Sequence, residues 1–116
     1  MTSFVATLMS SDQAPAEWAR AREVEGWHGL AVPDHVFIER QPVAHVWVTA
    51  TELALATEAV TIATSFANNL LRSPVEFAQA SLAVHRASGG RFEAGLGAGW
   101  DQTELKATGA RFPPTA

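Results

Sequence analysis

The sequence contains no cysteine. This absence excludes disulfide bonds, thiolate metal ligands and cysteine nucleophiles, and it permits a reducing compartment. Charged residues make up only 17% of the 116 residues, and neither acidic nor basic side chains form a run. With a net charge of −4, the chain offers no basic surface for nucleic acid or for an anionic membrane.

Long apolar segments are also missing. No run approaches the length that crosses a bilayer. Residues 1–10 lack the basic start and the long apolar stretch of a signal peptide. We therefore expect a soluble, cytoplasmic protein, and its 47% of hydrophobic residues are enough to build a core.

Short apolar runs alternate with segments of helical periodicity. The runs at residues 4–9, 29–32, 60–65 and 91–96 predict four buried strands, the first followed by a loop at residues 10–12. Three segments between them predict helices: residues 15–26, residues 43–57 with Thr49 and Glu52 spaced as a capping box, and a helix capped by Ser73 and ended by Gly89-Gly90. Residues 37–42 are predicted to be a loop.

This alternation predicts parallel βαβ units, either closed as a barrel or open as a doubly wound sheet. In both architectures function lies at the carboxyl ends of the strands. Polar or glycine-rich clusters follow three of the predicted strands, at Asp34-His35, at residues 65–69 and at residues 97–100. A closed barrel needs about eight strands and roughly 250 residues, so four strands predict a truncated half with an exposed sheet edge.

Several short motifs occur in a characteristic order along the second half of the chain. They are Arg72-Ser73-Pro74, then Ser-Gly-Gly-Arg-Phe at residues 88–92, then Gly-Leu-Gly-Ala-Gly-Trp at residues 95–100, with Glu104, Gly109 and Phe112 after them. In this order they resemble the luciferase-like monooxygenase family. Asp34-His35 and Thr64-Ser65 match the family as well.

The resemblance implies an α/β fold in which residues 1–116 are a single partial domain, the N-terminal half of a (β/α)8 TIM barrel. It also implies an oxidoreductase or monooxygenase that uses FMN or the deazaflavin coenzyme F-420, with a small organic substrate. His35 would act near the reactive part of the ring, where it polarises or protonates the flavin or the substrate, and Asp34 would orient it. The cofactor-binding residues would be Ser65, Phe66, Gly97, Ala98, Gly99 and Trp100, with a non-prolyl cis peptide bond at Ser65-Phe66.

Two departures from the family pattern limit what can be carried over. Trp100 stands where the family's glucose-6-phosphate dehydrogenases have glutamate, which argues against that substrate. The cofactor phosphate is usually held by loops near strands seven and eight, which this chain lacks.

Other polar and aromatic residues receive simpler interpretations. Asn68 and Asn69 are predicted to be turn residues, and Glu104 a solvated loop or helix-start residue. No metal site is predicted, because the remaining histidines lack partners at metal-ligand spacing. Trp18 and Trp47 are assigned to the core.

Two alternatives stay open. The chain could be a non-catalytic half-barrel that self-associates or pairs with another half, and a homo-oligomer is expected in any case. A small Rossmann-type binder is the other alternative, although Gly95-x-Gly97-x-Gly99 lacks the spacing of the dinucleotide fingerprint.

Overall fold

The computed structural model describes residues 1–9 and 13–114. The loop predicted at residues 10–12 lies outside the described residues. Along the chain the elements are β1 (Val5–Thr7), α1 (Pro15–Val24), β2 (Gly29–Val32), β3 (Phe37–Ile38), β4 (Gln41–Pro42), α2 (Val46–Ala56), β5 (Thr61–Thr64), β6 (Ala67–Asn68), α3 (Pro74–Ala87), β7 (Phe92–Glu93), β8 (Leu96–Gly97) and α4 (Gln102–Thr108).

The central sheet confirms the predicted parallel βαβ arrangement. Its strand order is β1-β2-β5-β7, and every neighbouring pair is parallel. Leu30 in β2 lies between Ala6 in β1 and Ile62 in β5. All four residues of β2 are buried, as expected for an apolar run in the middle of a parallel sheet. The carboxyl ends of these strands therefore share one edge of the sheet.

The hydrophobic core lies between this sheet and the helices. Helix α2 packs against α1 on one side and α3 on the other. Its Trp47 is 6% exposed and meets the rings of Phe77 and Phe92 edge-on, with centroids 5.7 and 6.2 Å away. Trp47 is therefore a core residue, as predicted, and Trp18 packs at the margin of the same core.

A hairpin replaces the loop that the sequence predicts at residues 37–42. Strands β3 and β4 pair antiparallel, and Glu39 and Arg40 connect them with positive φ angles of 49° and 70°. Such a turn is usually marked by Asn-Gly or a similar pair. Glu39-Arg40 carries no such signal, which explains why the prediction was wrong.

Two other element boundaries differ from the predictions. Helix α2 begins at Val46 rather than at residue 43, and its N-cap, His45, makes no capping hydrogen bond through its side chain. Thr49 is buried in the interior of α2, so the capping box with Glu52 does not form. The predicted strand at residues 91–96 is divided into β7, in the central sheet, and β8, which pairs with β6.

The start and end of α3 match the sequence prediction. The backbone N–H of Glu76 donates to Oγ of Ser73 over 3.1 Å, and Pro74 occupies the first helical position. Gly89 and Gly90 follow the helix with φ angles of 65° and 91°. Within the described residues no helix is both long and apolar enough to cross a membrane.

The loop between α2 and β5 is held by a carboxylate from α1. Oε1 of Glu23 accepts hydrogen bonds from the backbone N–H groups of Glu58, Ala59 and Val60, over 3.0, 2.8 and 3.2 Å. Burial alone would raise the pKa of Glu23, but these hydrogen bonds, together with the charge of Arg91, lower it below its ordinary value.

We expect this carboxylate to make folding stability depend on pH. Because the pKa of Glu23 is lower in the folded chain, its contribution is present above the ordinary glutamate value of about 4.3 and is lost as the pH falls further. Urea unfolding of the wild type and of Glu23→Gln, from pH 7 to pH 3, measures this. The stability difference between them should shrink towards acidic pH, and a constant difference would contradict the assignment.

Candidate active site

All eight residues predicted for the site line one cleft at the carboxyl ends of the strands. The cleft has a volume of about 330 Å³, which is within the range of small-molecule sites. The residues around it are Asp34, His35, Ser65, Phe66, Asn68, Gly97, Ala98, Gly99 and Trp100. Asn68 is the addition that the structure makes to the predicted set.

A smaller pocket lies elsewhere, between α2 and the segments that follow β1 and β2. Its volume is about 180 Å³, and apolar residues such as Leu8, Val32 and Val43 form most of its wall. Glu52 is the charged side chain in that wall. The larger cleft combines aromatic, amide, imidazole and carboxylate groups, so it is the better candidate for chemistry.

One wall of the cleft is formed where β5 ends. The peptide bond between Ser65 and Phe66 is cis, at the position where the family resemblance implies one. The ring of Phe66 is 62% exposed. Strand β6 follows directly and pairs with β8, with Ala67 opposite Leu96 and Asn68 opposite Gly97.

The glycines of β8 and its flanks allow the chain to pass close to this wall. A Cβ atom at Gly95 would overlap the carbonyl oxygen of Thr64, and one at Gly97 would lie 3.0 Å from Cβ of Phe66. Gly99 has a φ of 78°, and a Cβ there would lie 2.6 Å from Oδ1 of Asn68. The atoms that require glycine at these positions belong to the protein itself.

Asp34 lines the cleft, but none of the hydrogen bonds found among the described residues joins its side chain to His35. Its carboxylate accepts two hydrogen bonds from Arg72, Nη2 to Oδ1 over 2.7 Å and Nε to Oδ2 over 3.1 Å. The backbone N–H of Asn68 also donates to Oδ2, over 2.9 Å. The predicted role of Asp34 in orienting His35 is therefore not what the geometry shows.

The ion pair between Asp34 and Arg72 is largely removed from solvent. The side chains are 1% and 17% exposed, respectively. Hydrogen bonding to Asp34 raises the pKa of Arg72 above its already high ordinary value. This pair joins the end of β2 to the segment between β6 and α3.

The group that contacts His35 is Glu104, which was predicted to be a solvated loop or helix-start residue. Its side chain has no solvent exposure, and Oε2 lies 3.2 Å from Nδ1 of His35. Its other oxygen, Oε1, accepts hydrogen bonds from the backbone N–H groups of Val36 and Phe37. Glu104 does lie in the first turn of a helix, as one of its two predicted positions has it, but it is buried rather than solvated.

Helix α4 brings Glu104 to this position. Asp101 caps the helix, and its Oδ1 accepts from the N–H groups of Thr103 and Glu104 over 2.9 and 3.1 Å. An Asp with Glu three residues later is a recognisable helix-start pattern, and it was the signal available for α4. That pattern does not reveal the burial of Glu104, which depends on contacts with the segment after β2.

His35 and Trp100 meet across the cleft. Their rings are edge-on with centroids 6.0 Å apart, and the indole is 73% exposed. The His35 side chain is 18% exposed. Asn68, predicted to be a turn residue, does support a turn, because its Oδ1 accepts from the N–H of Leu70 over 3.0 Å.

No group of acidic, histidine or cysteine residues able to hold a metal ion occurs in the part of the chain that the structure describes. Two other histidines have protein partners instead. Nε2 of His45 lies 3.1 Å from Nη1 of Arg72, and Nδ1 of His28 accepts a hydrogen bond from the backbone N–H of Phe4 over 3.1 Å.

Comparison with known proteins agrees with the fold. The family model for luciferase-like monooxygenases matches residues 8–115. The chain belongs to the luciferase-like monooxygenase family. None of the curated protein sequences matches it significantly.

Solved structures share this fold at low sequence identity. The coenzyme F-420-dependent tetrahydromethanopterin reductase of Methanopyrus kandleri aligns with a TM-score of 0.79 and 24% identity, over 95% of this chain and 30% of that one. The monooxygenase RslO1 of Streptomyces bottropensis aligns with a TM-score of 0.79 and 18% identity, over 95% and 37%. The oxygenating constituent of 3,6-diketocamphane monooxygenase of Pseudomonas putida, solved with FMN, gives 0.78 and 16%, over 96% and 33%.

The chain thus spans about a third of the length of these solved structures. They confirm the expected fold class, a set of parallel βα units equivalent to the first part of a luciferase-like TIM barrel.

Proposed function

We propose that the chain supplies the flavin-facing half of an oxidoreductase or monooxygenase of the luciferase-like type. The observation that carries the proposal is the convergence of His35, Phe66, Trp100 and the glycines of β8 on one cleft. A reduced flavin or deazaflavin in that cleft would supply hydride transfer or, for the flavin, oxygen activation. The candidate cofactors are FMN and coenzyme F-420.

The cleft fits the ring of such a cofactor better than its phosphate. The exposed rings of Phe66 and Trp100 offer flat apolar surfaces to an aromatic system. No lysine or arginine is among the described residues that line the cleft, although phosphates are usually bound by such cations or by clustered N–H groups. The guanidinium of Arg72 lies beside the cleft residue Asp34, and it is bonded to the carboxylate of that residue.

The side chains that line the cleft would then have different roles towards the cofactor ring. Phe66 and Trp100 would pack against the ring, and Asn68 and Ser65 would offer hydrogen bonds at its edge. His35 would hold or move a proton at Nε2. Asp34 would act indirectly, because it fixes the backbone of Asn68 and already accepts three hydrogen bonds.

The test is a fluorescence titration of the purified chain with riboflavin and with FMN up to about 1 mM. A dissociation constant of that size corresponds to a binding free energy of about −4.1 kcal/mol. Because the cleft residues that the structure describes include no lysine or arginine, we expect both ligands to bind weakly and with dissociation constants within about twofold of each other. Trp100→Ala should weaken both by about 2- to 12-fold, which corresponds to an aromatic contact of about 0.5–1.5 kcal/mol.

The control is Leu82→Ala, which removes an exposed side chain of α3 outside the cleft and should leave both affinities unchanged. The absence of any binding would contradict the proposal. Tighter binding of FMN by tenfold or more would show a phosphate site that the cleft does not contain.

A non-catalytic half-barrel that self-associates is the second candidate. It is supported by the outer strands of the sheet, since β1 and β7 each have a single neighbour among the described strands, and by Phe4 and Val5, which are 60% and 54% exposed. A discrete dimer in sedimentation velocity that binds neither flavin would favour this candidate. In either case we propose one partial domain, residues 1–116, acting in the cytoplasm as a homo-oligomer.

A further inference from the structure

The buried carboxylate of Glu104 has a different set of partners on each of its two oxygens. Oε1 accepts hydrogen bonds from two backbone N–H groups, those of Val36 and Phe37. Oε2 faces Nδ1 of His35 over 3.2 Å. Backbone N–H groups can only donate, so Oε1 can only be an acceptor here.

With Glu104 ionised, this arrangement determines which nitrogen of a neutral His35 carries the proton. An ionised carboxylate accepts hydrogen bonds at both oxygens and donates none, so Nδ1 must be the donor in its contact with Oε2. In a neutral imidazole with Nδ1 protonated, Nε2 carries the lone pair. The other nearby carboxylate, Asp34, is occupied by Arg72 and Asn68 and does not compete.

The second nitrogen of His35 is the one available to a ligand. His35 lines the cleft, and no residue that the structure describes forms a hydrogen bond with its Nε2. The contact with Glu104 holds the ring from one side, while the indole of Trp100 meets it edge-on from another.

We propose that Glu104 is a positioning residue that holds neutral His35 as the Nδ1–H tautomer, so that the cleft presents a hydrogen-bond acceptor at Nε2. The site would then select a ligand that carries an O–H or N–H group at this point. The ligand class rests on the proposed function, whereas the tautomer does not. From the family resemblance His35 was expected to polarise or protonate its ligand, whereas the geometry makes the neutral ring an acceptor at Nε2.

A proton transfer at this site would run from the ligand to His35. The ligand's O–H bond breaks, its electron pair stays on the oxygen, and a new N–H bond forms at Nε2. The resulting imidazolium keeps its Nδ1–H bond to Glu104, whose negative charge stabilises it.

The first measurement uses the ligand-free wild-type chain. Two-bond ¹H–¹⁵N correlation NMR of the histidine rings, at about pH 9 where an unperturbed imidazole is neutral, identifies the protonated nitrogen, and His35→Asn assigns the signals. We expect protonated Nδ1 and unprotonated Nε2 at His35. Protonation at Nε2, or an even mixture of tautomers, would overturn the proposal, and this result needs no variant at position 104.

The second measurement uses Glu104→Gln. Because Val36 and Phe37 still require an acceptor, the amide oxygen should take the place of Oε1 and the amide N–H₂ should face Nδ1 of His35. Nδ1 must then accept, so the tautomer should reverse and Nε2 should carry the proton. The matched control is Glu17→Gln, the same chemical change at an exposed position in the first turn of α1, which should keep the wild-type tautomer.

An unchanged tautomer in a folded Glu104→Gln chain would show that Glu104 does not position His35. These spectra are recorded without flavin, so they decide the role of Glu104 whatever the flavin titration shows. If the tautomer is as expected and neither flavin binds, the proposed cofactor fails while the assignment of Glu104 stands.

Discussion

Replacing Asp34 by alanine is expected to lower the free energy of unfolding by about 3–5 kcal/mol, the usual cost of removing one partner of a buried ion pair. Two groups lose their acceptor in this variant, the guanidinium of Arg72 and the backbone N–H of Asn68. Small domains are stable by only about 5–15 kcal/mol, so the variant would be close to unfolding. Urea denaturation at pH 7 measures the change, with Glu17→Ala as an exposed control.

A double-mutant cycle separates the ion pair from the rest of this effect. Arg72→Met alone should cost less than Asp34→Ala, because Asp34 keeps the N–H of Asn68 as a donor. The coupling between the two sites should be about 1–3 kcal/mol, as for residues in direct contact. A loss below about 1 kcal/mol in Asp34→Ala would place the pair with ordinary surface salt bridges and contradict its structural role.

The Asp34→Ala variant also distinguishes a role of Asp34 in orienting His35 from a role in stabilising the fold. If Asp34 acted on His35, as the sequence suggested, its removal would change the cleft and leave stability largely intact. The structure connects Asp34 to the backbone of Asn68, so stability and flavin affinity should fall together.

The sequence was sufficient to predict which residues meet at the cleft. Apolar runs such as residues 29–32 and 60–65 predict buried strands, and parallel strands place their carboxyl ends at a common edge. His35, Phe66 and Trp100 follow such ends, and they line one cleft as expected. The prediction of which residues lie at the cleft depends on the apolar pattern of the strands and on their parallel order, and both can be read from the sequence.

The partners of individual side chains could not be predicted in the same way. Asp34 precedes His35, but its carboxylate is bonded to Arg72 and to the backbone N–H of Asn68, so adjacency in the sequence was misleading. The actual partners, Arg72 for Asp34 and Glu104 for His35, are 38 and 69 residues away. Such pairs depend on how the helices return to the sheet, which composition and periodicity do not specify.

The partners of Arg91 could not be predicted from the sequence either, and they lead to a prediction about folding stability. The sequence identified it as part of a glycine-rich turn motif, yet in the structure its guanidinium links three segments. Nε donates to the carbonyl of Ser88, and Nη1 donates to Oγ1 of Thr57 and the carbonyl of Val60. Nη2 donates to the carbonyls of Ala54 and Thr57. All five N–H donors are used, and the charge sits at the C-terminus of α2, where a helix favours a cation.

We expect Arg91→Met to lower the free energy of unfolding by about 2–4 kcal/mol. Methionine keeps much of the aliphatic volume, but it leaves the carbonyls at the end of α2 without their charged donor, and each such bond contributes about 1.5–3 kcal/mol without being additive. Arg91→Lys should lower the free energy of unfolding by somewhat less than Arg91→Met, because the ammonium group keeps the charge and three donors. It should still be less stable than the wild type, because those donors cannot reach all five acceptors. The matched control is Arg86→Met, an exposed arginine in the last turn of α3, which should change stability by no more than about 0.5 kcal/mol.

Hydrogen exchange distinguishes this role of Arg91 from a general loss of packing. If the guanidinium holds the end of α2, amide protection should fall first in the last turn of α2 and in residues 57–60, before the centre of the sheet is affected. A stability loss equal to that of Arg86→Met, or a uniform loss of protection over the whole sheet, would contradict the role.

Glu23 and Arg91 bind the same loop between α2 and β5. Glu23 accepts from its backbone N–H groups, and Arg91 donates to its backbone carbonyls. Arg91→Met should therefore also reduce the pH-dependent contribution of Glu23, whose pKa the charge of Arg91 helps to lower.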